Sequence, residues 1–116
     1  MPNVIDPGEQ VHISYRRRFE GDLRRHFVGK VMRAKGPLVR CDGYFFIFDD
    51  LEGVFIKKPE HRTLLFQLAN AGYIVNVIPN DVDLDSLHFR KTRKNILVLT
   101  DGENFVLDIN EFGSTG

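Results

Sequence analysis

Arginine is the residue type whose crowding could do chemistry in this 116-residue chain. Arg16, Arg17, Arg18, Arg24 and Arg25 fall close together, with Lys30, Arg33, Lys35 and Arg40 following. A planar guanidinium makes paired hydrogen bonds to phosphate or carboxylate, so the chemistry on offer is recognition of an anion. Tyr15, Phe19 and His26 lie among these arginines and could stack on single-stranded bases, although Tyr15 and Phe19 share the parity of the expected core. Three structural readings compete with a bound polyanion. The arginines could form a solvated face tempered by Glu20 and Asp22, guard a sheet edge against aggregation, or meet acidic residues of the second half or of a neighbouring subunit.

Other chemistries find less support in the residue order. Asp81, Asp83 and Asp85 alternate as in a calcium loop, but Ser86 and Thr92 stand where an EF-hand needs glycine and glutamate. Turn and cap duties fit them better. Asp49, Asp50 and Glu52 read as a solvated turn. His12, His26, His61 and His88 show no zinc spacing, and Cys41, the single cysteine, has no local nucleophile signature. No phosphate-cradling glycine loop, nucleophile elbow or His/Glu metalloprotease pattern is present, so no catalytic residue, metal or cofactor is expected. Val28-Gly29-Lys30-Val31 resembles the strand-bending glycine of Sm-like barrels over that handful of residues. The acidic residue, the asparagine and the second motif of that family are missing, and no residue role carries over.

Composition frames these residues. Hydrophobic content of 42%, with 10 Phe and no Trp, supports one core of ordinary size. Residues 1–40 carry nine Lys/Arg against four Asp/Glu, and residues 41–116 carry seven against twelve, although the whole chain sums to zero. Such asymmetry marks either a face for an anionic partner or two halves that neutralise each other. No run approaches the roughly 20 apolar residues that cross a bilayer, so no membrane partner is expected. The start lacks a secretory pattern and a lone cysteine fits a reducing compartment, which makes the cytoplasm the expected location.

The elements that must position the arginines are mostly strands. Residues 1–9 read as an irregular lead-in, 10–112 as a single β-rich domain and 113–116 as a flexible tail. From Gln10 the pattern has period two, and a three-residue turn at Glu20-Gly21-Asp22 would close a hairpin whose paired residue numbers sum to 42. That register pairs Phe19 with Leu23, Tyr15 with Phe27 and Val11 with Val31 on the core face. It leaves Arg18 opposite Arg24, Arg16 opposite His26 and His12 opposite Lys30 on the other face, where like charges would repel. Leu38–Asp49 follows as a strand with a bulge expected at Asp42-Gly43. Its centre, Tyr44 to Phe48, is apolar on both parities, which makes Tyr44, Phe46 and Phe48 candidates for a subunit interface or a doubly covered strand.

Pro59 to Ala71 reads as the one helix, with Pro59 at its first position, Leu64, Leu65, Leu68 and Ala69 on a stripe, and Gly72 as its stop. A strand over Thr63–Leu68 is the alternative. Tyr73–Ile78, Leu87–Lys91, Asn95–Thr100 and Glu103–Asn110 complete the strands, and Asp101-Gly102 reads as a two-residue type I′ turn. The expected fold is therefore α+β: a predominantly antiparallel barrel or strongly curled sheet with one helix around 59–71, or else an all-β barrel.

The expected function is a non-enzymatic binding module. Its binding residues for nucleic acid or another polyanion are Arg16, Arg18, Arg24, Arg25, His26 and Lys30. The alternatives are protein–protein contact or self-association through Tyr44, Phe46 and Phe48, and, third, an enzyme with a dispersed site.

Overall fold

The computed structural model describes residues 4–15, 25–70 and 72–109. Six strands make one antiparallel sheet: β1 (Gln10–Tyr15), β2 (Arg25–Lys35), β3 (Leu38–Asp49), β4 (Val54–Lys57), β5 (Arg62–Gln67) and β6 (Tyr73–Ile78). Their order is β4-β3-β2-β1-β6, and β5 lies beside β4 along the same edge of β3. A 3-10 turn at Leu84–Ser86 leads to a second antiparallel sheet of β7 (His88–Lys91), β8 (Leu97–Thr100) and β9 (Val106–Asp108).

The larger sheet works on both faces. Odd-numbered residues of β1 and β3, with Phe27 and Val31 of β2, enclose one core that also takes Ile5 and Phe66. Even-numbered Val28, Phe46 and Ile78 meet Phe89 and Leu99 of the smaller sheet in a second core. The lead-in is tied down as well, because Gly8 N–H donates to the Val31 carbonyl at 2.7 Å and Val31 N–H donates to the Glu9 carbonyl at 2.8 Å. The sheet curls enough for Phe66 of β5 to touch Tyr73 of β6, with ring centroids 5.6 Å apart. Among the described residues no ladder joins those two strands, so the expected barrel does not close.

The expected helix over 59–71 is absent, and the α+β assignment falls with it: the described chain contains no α-helix. Residues 62–67 pair with β3 from Leu38↔Gln67 to Gly43↔Arg62. Leu64 and Phe66 turn toward the first core, whereas Leu65 is 63% exposed. A cluster of leucines spaced by one, three and four satisfies both periods, and the long-range ladder settles which one the backbone adopts.

Three local expectations also change. The β1–β2 register pairs Val11 with Gly29 and Ile13 with Phe27, two residues from the expected alignment, so parity survives while partners change. The turn expected at 20–22, which had set that alignment, lies outside the described residues. The bulge falls at Met32, between the pairs Val31↔Cys41 and Arg33↔Arg40, and the ladder runs unbroken through Asp42 and Gly43. Gly43 faces Gly29 across that ladder, and a Cβ on Gly43 would collide with the Val28 carbonyl oxygen. Finally, Asp101-Gly102 opens a longer loop, since Thr100 pairs with Val106. There the Asp101 carboxylate accepts the N–H groups of Glu103 at 2.8 Å and Phe105 at 3.0 Å, which holds its pKa below the usual range.

Candidate polyanion-binding face

The two sheets overlap only partly, and this offset creates the basic face. Val28 and Phe46 on the even face of the larger sheet are covered by the smaller sheet. Farther along the same strands that face is open: Lys30, Arg33 and Lys35 of β2 and Arg40 of β3 are all exposed. The bulge at Met32 resets β2, so Arg33 stands directly opposite Arg40 and Lys35 opposite Leu38. Exposed Leu38 (42%), Met32 (49%) and Leu65 (63%) lie among these cations. Asp42 is cross-strand from Lys30, and its Oδ1 accepts the Thr63 hydroxyl at 2.9 Å and lies 3.2 Å from His61 Nε2. Four cations against one already engaged carboxylate leave this surface basic, and Arg33 facing Arg40 is a pair that repels in the absence of an anion.

Of the residues expected to bind, Arg25, His26 and Lys30 are described, and these three do not gather in one site. Arg16, Arg18 and Arg24 lie outside the described residues. His26 is 5% exposed and belongs to the interior, a correction to its expected place on a wet surface. The parity was right, but the smaller sheet covers that part of the face. Arg25 sits on the opposite side of the sheet, where its guanidinium lies 4.7 Å from the Tyr15 ring centroid and 5.6 Å from that of Phe45. Arg62, hidden from sequence reading by the helix assignment, approaches Phe45 from β5 at 5.5 Å. Of the described members of the expected set, Lys30 alone lies on the open basic face, beside Arg33 and Arg40.

Beneath the covered half lies a polar chain. Asn76 Nδ2 donates to His12 Nδ1 at 3.2 Å, which directs His12 Nε2–H toward His26 Nδ1 at 2.7 Å. The two imidazoles stack at 4.9 Å, and His26 meets the Phe55 ring edge-on at 4.5 Å. Burial lowers the pKa of His12 to about 3, helped by its neighbour His26, and burial lowers that of His26 to about 4. Both are therefore neutral near pH 7. Gln10 extends this buried polar row, its amide donating to the carbonyls of Pro79 at 2.9 Å and Val82 at 3.0 Å.

The other singled-out residues take structural places. Phe46 packs inside the second core against Phe89 at 5.0 Å, and partly buried Phe48 packs at its margin against Phe55 at 5.2 Å. Tyr44 is half-buried beneath the Lys57 ammonium, 4.1 Å from its ring centroid. Cys41 is fully buried, and burial pushes its thiol up to about 11. Asp83 caps the 3-10 turn, accepting from Asp85 N–H at 3.0 Å and the Ser86 hydroxyl at 3.2 Å. No family model, curated protein or solved structure matches the chain.

Proposed function

We propose that this protein is a non-enzymatic binding module for a polyanion, with nucleic acid as the partner class, held across the open half of the larger sheet. The observation that carries the reading is Arg33 facing Arg40 on an exposed ladder, flanked by Lys30 and Lys35. Phosphates threading between these cations would relieve their repulsion and release counterions. The rings expected to stack lie elsewhere, Tyr15 on the first core's side and His26 buried, and the described rings beside this face, Tyr44 and His61, pack edge-on against each other at 5.2 Å. The expected mode is thus backbone recognition with little sequence preference.

Fluorescence anisotropy of a labelled single-stranded oligonucleotide tests it. Affinity should fall steeply between low and moderate salt, and replacing both Arg33 and Arg40 by Ala should reduce the log–log salt slope by roughly 1 to 1.5. Absence of binding at low salt, or binding that ignores both salt and the substitutions, sinks the proposal.

A further inference from the structure

The larger sheet ends in a strand with an unusual edge. β6 pairs with β1 on one side, and no strand among the described residues pairs with its other side. An unpaired edge presents a row of N–H and C=O groups that template another strand unless charge, proline or a bulge blunts it. β6 has none of these within Ile74-Val75-Asn76-Val77-Ile78. The other edge strands are charged: β4 carries Lys57, β5 Arg62, β7 Arg90 and Lys91, and β9 Asp108. Beside β6, where the sheet fails to close, lies an apolar hollow of about 470 Å³ whose lining includes Val4, Leu68, Tyr73, Val75 and Val77. Val77 is 54% exposed and Val4 87% exposed on that side.

What fits this edge follows from its sequence. Residues 74–78 read the same in both directions. An antiparallel copy related by a two-fold axis at Asn76 would therefore set Ile74 against Ile78, Val75 against Val77 and Asn76 against its counterpart. Each of these is a like-with-like cross-strand pair, and no charge meets a like charge. Pro79, which has no N–H, would end the new ladder cleanly just beyond Ile78. Because the contact is isologous it closes at two subunits.

We propose that β6 is a homodimerisation edge, joining the larger sheets of two copies of this chain into one continuous antiparallel sheet. The proposal is independent of polyanion binding, since the basic face belongs to β2 and β3.

The test is sedimentation equilibrium of the full chain up to high concentration, beside Val77→Lys at an exposed position. The wild type should form a dimer, and V77K should weaken it at least tenfold while leaving circular dichroism unchanged, and thermal unfolding unchanged at a dilution where both proteins are monomeric. A second measurement locates the contact. In Val77→Cys with a nitroxide on that thiol (Cys41 being buried), diagonal neighbours about 7–8 Å apart should show strong dipolar broadening on dimerisation. A strictly monomeric wild type overturns the inference, as does open-ended polymerisation, a dimer indifferent to V77K, or a dimer without broadening.

Discussion

Single atoms decide more in this chain than its composition implies. Gly43 and Gly29 cross at the middle of the β2–β3 ladder, where a Cβ on Gly43 would drive into the Val28 carbonyl oxygen. Backbone on one strand cannot yield to backbone on the next without parting the ladder. Gly43→Ala should therefore destabilise the fold by about 1–3 kcal/mol despite adding only a methyl group. Urea unfolding checks this, and a change below about 0.5 kcal/mol would show that the strands separate easily there. The glycine is visible in the sequence, where its neighbourhood reads as a bulge. Close approach of two backbones is a property of pairing, and no local pattern encodes it. Met32, the residue that does bulge, is an ordinary β-compatible side chain, and its extra place in the ladder is what turns Arg33 toward Arg40.

At the scale of elements, β3 organises the molecule because it offers two halves of one edge to two different strands. Its apolar centre was legible as a strand covered on both faces or set against another subunit, and Phe45 and Phe46 enter different cores. β5 is the instructive contrast, because its leucines fit a helix as well as a strand until β3 is known to lie alongside. Adjacent residues 65 and 66 separate the two descriptions. Phe66→Ala, at 2% exposure, should cost about 3–5 kcal/mol. Leu65→Ala, at 63% exposure, should change stability by no more than about 0.5 kcal/mol. Comparable losses at both positions, read from chemical denaturation, would contradict the alternation of β5.

Across the whole molecule, the two sheets meet over a histidine pair, and that seam makes stability depend on pH. Unfolded histidine titrates near 6.5, whereas burial holds His12 near 3 and His26 near 4 in the fold. Between those values the unfolded chain binds more protons than the native one, so stability is complete above about pH 6.5 and declines as pH falls toward 4. Each histidine contributes roughly 1 kcal/mol per pH unit to that decline. Proton NMR should find neither imidazole titrating between pH 5 and 8, and a midpoint near 6.5 for either one would refute the buried, neutral pair. Sequence alone determined the alternation of β1 and of β2 up to Val31, hence which of those residues share a face, because side chains in a strand point to opposite sides whatever it pairs with. It also announced a basic first half. The tertiary structure alone decided which end of that face is wet, because the smaller sheet covers His12 and His26 and stops short of Arg33 and Arg40. Burial is set by what lies opposite a surface, and here that is a sheet from the far end of the chain.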